Sequence, residues 1–170
     1  MIRNAQSTDL SAILDIYNDA ILNTTSVYDY RPHTLDDRIS WYEKKASDEY
    51  PVLVFEENNL VIGFASYGPF RAWPAYKYTI EHSVYVHKNH RGKGAGMKLM
   101  KELIKVANSN GYATMVAGID SNNKTSIMMH KNLGFSECGT IKKAGFKFGK
   151  WLDLTFYQYE LRGPDAPRDG

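Results

Sequence analysis

Residues 78–86, Tyr78-Thr79-Ile80-Glu81-His82-Ser83-Val84-Tyr85-Val86, run without a break into His87-Lys88-Asn89-His90-Arg91-Gly92-Lys93-Gly94-Ala95-Gly96. The first nine residues, rich in Tyr, Val, Thr and Ile, read as a strand. Beyond the glycines, Leu99, Met100, Leu103, Ile104 and Ala107 recur at helical spacing until Asn110-Gly111, a C-terminal stop signal. The stretch is therefore a strand, a glycine-rich turn and a helix. Glycines at 92, 94 and 96 let the backbone approach a ligand closely and turn its N–H groups inward. The helix then presents its positive dipole end at the same place, a construction suited to a phosphate or pyrophosphate. Arg91 and Lys93 add mobile positive charge. The spacing matches neither Gly-x-x-x-x-Gly-Lys-Ser/Thr nor Gly-x-Gly-x-x-Gly, which excludes two common phosphate loops.

Working outward, a short opening strand precedes Leu10, Ile13, Leu14, Tyr17 and Ile21, an amphipathic helical stripe. Thr34 and Asp37 form a capping-box pattern ahead of a second stripe at Leu35, Ile39, Tyr42 and Ala46. Pro51–Phe55 and Leu60–Tyr67 read as a hairpin turning at Glu57-Asn58-Asn59. After the central helix come a strand over Ala113–Ile119 and a short helix over Asn123–Leu133. Two final strands lie around Phe135–Ile141 and Trp151–Leu161. The predicted order is β-α-α-β-β-β-α-β-α-β-β, an α/β fold with one mixed sheet and helices on both faces. The domain is expected over 1–162, and the Pro- and Gly-containing stretch 163–170 reads as a mobile tail.

The whole chain has 170 residues, 43% hydrophobic and 13% aromatic, enough to bury a core and too apolar for disorder. A formal net charge of +2 argues against a nucleic-acid binder working through bulk electrostatics. One cysteine, Cys138, excludes an intramolecular disulfide and a cysteine-rich metal site, and it reads as a small core residue. His82, His87, His90 and His130 lack metal-ligand spacing, so no metal is expected. No run of about 20 apolar residues could span a bilayer, and no signal-peptide pattern opens the chain. The expectation is a soluble, cytoplasmic protein without membrane or nucleic-acid partners.

Arg91-x-x-Gly94-x-Gly96 after a strand resembles the pyrophosphate loop, Gln/Arg-x-x-Gly-x-Gly/Ala, of the GCN5-related N-acetyltransferase (GNAT) superfamily. A second element agrees: Asn123-x-x-Ser126 opens a helix that ends at Leu133-Gly134-Phe135, where that superfamily places its last cofactor-contacting motif. Glu81–Val86, Ser126–His130, Phe146–Leu154, Ile16–Ala20 and Asn23–Thr25 are similar to the branch of phosphinothricin and methionine sulfoximine/sulfone N-acetyltransferases. The resemblance covers roughly residues 2–161.

The resemblance implies a cytoplasmic transferase that moves acetyl from acetyl-CoA to the α-amine of a methionine-like amino acid, by direct attack in a ternary complex. Such an activity serves detoxification, and the branch commonly forms homodimers. By itself Glu81 reads first as a solvent-facing glutamate or a partner of Lys77 or His82; the resemblance reverses this and implies a general base. His130 stands where the wider superfamily often has a tyrosine acid; its alternative is a packed helix histidine bonded to a carbonyl. Val84, Tyr85 and Val86 would line acetyl-CoA through the strand backbone, one N–H serving as oxyanion donor. Arg91, Gly92, Lys93, Gly94, Ala95, Gly96 and Met97 would hold its pyrophosphate, and Asn123, otherwise an N-cap, its pantetheine amide. Substrate positions are Arg71, Ala72, Trp73, Glu81, His82, Ser83 and Tyr28, with Phe148 as a further wall. Arg71 is chemically suited to a carboxylate. Competing readings are the same chemistry on a polyamine, an aminoglycoside or a protein amino terminus, and a non-catalytic acyl-CoA sensor.

Overall fold

The computed structural model describes residues 1–169. In chain order the elements are β1 (Ile2–Asn4), α1 (Leu10–Asn23), α2 (Leu35–Ser47), β2 (Val52–Glu57), β3 (Leu60–Pro69), β4 (Thr79–Val86), α3 (Ala95–Ser109), β5 (Thr114–Asp120), α4 (Lys124–Leu133), β6 (Ser136–Lys147) and β7 (Lys150–Glu160). This is the order expected from the sequence, with short 3-10 turns added. The strands hydrogen-bond in the order β1-β2-β3-β4-β5-β7-β6. β4 runs parallel to β5, with Glu81 opposite Val116, while β1–β2, β2–β3, β5–β7 and β6–β7 pair antiparallel.

Local chemistry sets several boundaries. Thr34 and Asp37 close a reciprocal capping box at the start of α2, with Asp37 N donating to Thr34 Oγ1 at 3.2 Å and Thr34 N to Asp37 Oδ2 at 2.8 Å. The β2–β3 turn places Asn58 and Asn59 at φ 52° and 61°, the left-handed pair a two-residue hairpin needs and asparagine tolerates. α4 stops where Gly134 adopts φ 99°.

The contacts divide the chain into two compact units. The first comprises Met1–Tyr67 and Ser83–Leu103; Leu10, Ile13 and Ile16 of α1 pack there with Val52, Val54 and Phe64. The second comprises Gly68–His82 and the chain from Ile104 onward, with Met115, Leu152 and Tyr157 buried. Each such large side chain contributes about 1.5–3 kcal/mol on burial. Within residues 163–169 there is no helix or strand, yet Gly163 N donates to Tyr112 O and Arg168 N to Tyr78 Oη, both at 3.1 Å. Gly170, the end of the expected tail, lies outside the described residues. Among the described residues, no helix is long and apolar enough to cross a membrane.

Two expectations are corrected. In α2 the stripe Leu35, Ile39 and Ala46 is exposed, and Arg38 is the buried residue, with Trp41, Tyr42 and Lys45 half-buried on the same side. Aromatic rings make this possible, since Arg38 lies 4.2 Å from the Tyr17 centroid and 4.6 Å from that of Trp41. Lys45 donates to the Tyr67 carbonyl at 2.7 Å, and burial pulls its ammonium down to about 8. Cys138 is exposed, because β6 pairs with β7 alone and shows solvent almost all its residues.

Candidate active site

The glycine turn belongs to the first unit. Gly92 and Gly94 adopt φ 75° and 80°, and nothing lies within 4 Å of a Cβ built on either. Glycine is thus required there by backbone conformation and not by crowding. α3 begins at Ala95, and Lys98 N already donates to Gly94 O at 3.1 Å, so the N–H groups ahead of Lys98 stand at the open end of the helix. Arg91 is less mobile than the sequence suggests. Its Nε donates to Val86 O at 3.0 Å and its Nη2 to Asp19 Oδ2 at 2.8 Å, which latches the turn to the end of β4 and to α1. Lys93 is exposed and donates to the Asn89 carbonyl at 3.4 Å. Ala95 is buried; Gly96 and Met97 are half-buried.

Ser83, Val84, Tyr85 and Val86 are half-buried in this unit. The Tyr85 ring packs edge-on against Tyr17 at 5.3 Å and beside Phe64 at 5.2 Å. Tyr28, in the connection between α1 and α2, is 40% exposed.

In the second unit, Glu81 is half-buried on β4. Burial raises its carboxyl above the ordinary carboxylate range, and the charge of Arg71 partly offsets this. Room for the carboxylate comes from Gly118 on β5: a Cβ there would lie 3.2 Å from Glu81 Oε1, and 3.4 and 3.5 Å from Leu154 and Phe156. Arg71, Ala72 and Trp73 are exposed in the β3–β4 connection, and the Arg71 guanidinium lies 5.2 Å from the Phe70 centroid. Phe148, at the β6–β7 turn, is 56% exposed.

His82 and His130 meet in the same unit. His130 Nδ1 lies 2.7 Å from the Ser126 carbonyl, and its Nε2 lies 3.1 Å from His82 Nε2. A carbonyl only accepts, so His130 Nδ1 carries a hydrogen and its Nε2 is the acceptor. His82 Nε2 must then donate, which leaves His82 Nδ1 as a bare acceptor; that atom is buried and has no partner among the described residues. Burial lowers both imidazoles, His82 far more than His130, so the pair is neutral near pH 7. His130 is 1% exposed, so its carbonyl bond is present as the packed-histidine reading anticipates.

Asn123 caps α4, its Oδ1 accepting from Ser126 N at 3.1 Å, and its Nδ2 has no acceptor among the described residues. Among the described residues, no three His, Cys, Asp or Glu side chains group to hold a metal.

The model of the acetyltransferase (GNAT) family matches residues 11–135. The chain belongs to this family. The GNAT match includes the glycine turn, both histidines, Glu81 and Asn123. A curated relative, the L-methionine sulfoximine/L-methionine sulfone acetyltransferase of Salmonella typhimurium, is 48% identical over 166 residues, covering 98% of this chain and 97% of that protein. The crystal structure of an N-acetyltransferase from Staphylococcus aureus superposes with a TM-score of 0.94 at 54% identity, covering 95% of this chain and 98% of that one. A GNAT phosphinothricin acetyltransferase from Sinorhizobium meliloti, solved with acetyl-CoA, gives a TM-score of 0.94 at 33% identity, over 100% of this chain and 92% of that one.

Reading the GNAT motifs in the sequence misses Asp19, Ser126 as a carbonyl partner, Gly118 and Arg38. Of these only Gly118 leaves a local signal, a glycine inside a strand pattern, which often marks a close approach.

Proposed function

We propose that this GNAT enzyme transfers acetyl from acetyl-CoA to the α-amine of a methionine-like amino acid such as methionine sulfone, methionine sulfoximine or phosphinothricin. The observation that carries the chemistry is Glu81, a half-buried carboxylate with a raised proton affinity on the strand that leads into the glycine turn. A general base for an ammonium has to attract a proton, and desolvation of the carboxylate raises that affinity. The substrate class is supported by the 48% identity to the methionine sulfoximine/sulfone enzyme over nearly the whole chain.

Acetyl-CoA fits the chain's own features. The left-handed Gly92 and Gly94 and the open start of α3 suit its pyrophosphate, and Lys93 lies exposed beside them. Val84 to Val86 would bond the pantetheine arm through their backbone, with the Val84 N–H as oxyanion donor, and Asn123 Nδ2 would take a pantetheine carbonyl. The bound thioester supplies the activated acetyl group. Glu81 removes the ammonium proton so that the free amine can attack. Both nitrogens of His130 are engaged and His82 Nδ1 is a bare acceptor, so the pair passes a proton to the thiolate only after His82 Nδ1 has taken one that the amine loses on attack. Arg71, Ala72, Trp73, Ser83 and Tyr28 form the amino-acid side of the site. The exposed Ile141, Phe148 and Trp151 of the β6–β7 hairpin support a homodimer. Acetyl-CoA is an intracellular metabolite, which supports a cytoplasmic setting.

The test is release of CoA thiol with acetyl-CoA and a panel of amines: methionine sulfone, methionine sulfoximine, phosphinothricin, spermidine, an aminoglycoside and a peptide. Turnover on the first three that is lost in Glu81→Gln is expected. Turnover confined to the others overturns the substrate, and acetyl-CoA binding with no turnover favours the sensor reading.

A further inference from the structure

The chain turns back sharply at the end of α2. Glu49 stands in the left-handed region at φ 59°, its N–H donates to the Ala46 carbonyl at 3.2 Å, and the Tyr50 N–H donates to the Lys45 carbonyl at 2.8 Å. This is a Schellman closure with a glutamate where glycine is usual. A side chain in that region is strained and is retained only where the surrounding structure holds it. The turn folds Tyr50 back over Lys45, whose ammonium lies 5.3 Å from the Tyr50 ring centroid. Trp41, one helical turn earlier, lies 5.9 Å from the same ammonium, and the Tyr67 carbonyl of β3 accepts from Nζ at 2.7 Å. The Tyr67 ring in turn stands edge-on to Tyr50 at 5.9 Å.

Lys45 has no carboxylate within ion-pair distance among the described residues. Asp48, at the end of the same helix, attracts it but is held by Lys44 through both carboxylate oxygens, at 3.1 and 2.8 Å. The Lys44 charge repels it. The remaining titratable neighbours are the phenols of Tyr50 and Tyr67, and Arg38 shares the Trp41 ring as a second cation. An ammonium brings three N–H donors to this cage, which offers one protein acceptor; a free amine can use that acceptor without the charge. Burial outweighs the pull of Asp48 and draws the group down to about 8. A desolvated lysine with an available lone pair is an activated nucleophile. The electrophile that a GNAT chain works with is an acyl thioester.

We propose that Lys45, caged by Trp41, Tyr50 and the Tyr67 carbonyl, is a self-modification site whose Nζ takes the acyl group directly from an acyl-CoA thioester. The free amine attacks the thioester carbonyl carbon, the C–S bond breaks, and the coenzyme leaves as thiolate. The proton shed by the nitrogen passes through water to that thiolate. The amide product keeps one N–H for the Tyr67 carbonyl and no longer carries a charge that the cage must desolvate. The assignment holds whichever amine the active site acetylates.

The test is site-resolved mass spectrometry of wild type incubated with acetyl-CoA, native and in guanidinium chloride, so that Lys45 in the unfolded chain is its own reference. At pH 7.5 the larger share of free amine outweighs the lower intrinsic nucleophilicity, and Lys45 is expected to be acetylated about tenfold faster native than unfolded. Its native rate is expected to level off above about pH 8, whereas an ordinary lysine gains about tenfold per pH unit up to about 10. A native rate at or below the unfolded one, or one still climbing tenfold per unit beyond pH 9, overturns the proposal. Glu81→Gln, made to stop acetyl transfer, separates the two sources of the acetyl group. Unchanged labelling of Lys45 is expected; its loss would mean delivery by the active site of another copy and overturns direct attack. If no amine is turned over and Lys45 is still labelled, the acetyl-transfer reading fails and the modification site stands.

Discussion

His82 and His130 stack with ring planes 18° apart and centroids 5.0 Å apart, and the bond from His130 Nδ1 to the Ser126 carbonyl fixes which ring donates between their Nε2 atoms. Phe135 closes edge-on against both, at 5.7 Å from His82 and 5.0 Å from His130. A neutral pair in such a packing is a pH liability. In the unfolded chain each imidazole takes a proton as pH falls through about 6.5, whereas in the folded chain burial delays both. The unfolded state therefore binds more protons, and stability falls as pH drops below about 6.5 toward the depressed folded values. Urea unfolding of wild type should show this loss between pH 7.5 and 5, and His82→Phe, which keeps a stacking ring, should show a shallower one. Equal slopes for the two proteins would remove the pair as its source.

Glu81 should govern the acid limb of activity. Its carboxyl is raised by burial, so the ionised, competent form is lost as pH falls through a value above the ordinary 4.5. Glu81→Gln is expected to lower kcat/KM by about 10²–10⁴ and to abolish that limb, leaving acetyl-CoA affinity unchanged. Profiles of kcat/KM from pH 5 to 9 for both proteins check this.

Gly118→Ala tests whether the space beside Glu81 matters. The new Cβ would meet Glu81 Oε1 at 3.2 Å, and the Leu154 and Phe156 side chains stand behind it. The carboxylate must then shift by a few tenths of an ångström, for which a loss of about tenfold in kcat is expected. Packing costs are put at about 1 kcal/mol. A stable variant with wild-type kcat would show that Glu81 tolerates displacement.

Gly94→Ala addresses the turn. At φ 80°, with nothing within 4 Å of the added Cβ, the whole effect is backbone strain of about 1–2 kcal/mol. The expected outcome is a raised KM for acetyl-CoA with the KM for the amino acid unchanged, measured by varying each substrate in turn. An unaltered acetyl-CoA KM would take the turn out of the pyrophosphate site.

Much of this was legible locally. The capping box at Thr34, the Asn58-Asn59 turn and the strand–turn–helix of residues 78–109 each depend on neighbours a few residues away, so their chemistry is written in short stretches. α2 was misread for a physical reason. A helical stripe of Leu35, Ile39 and Ala46 looks like a core face, but Tyr17, 21 residues earlier than Arg38, makes the cation the better-packed choice. Cys138 was misplaced because a sequence does not say which strand will be an edge.

The sequence alone determined the order of the elements, the glycine turn with its left-handed positions and the family to which they belong, because backbone conformation and short motifs are local properties. Only the tertiary structure decided that Arg91 is latched by Asp19, that Gly118 makes room for Glu81, that Ser126 sets the tautomers of the histidine pair and that Arg38 is buried against Tyr17 and Trp41. Hydrogen bonding, steric exclusion and desolvation act between atoms that folding brings within a few ångströms, and for Arg91 and Asp19 the separation along the chain is 72 residues.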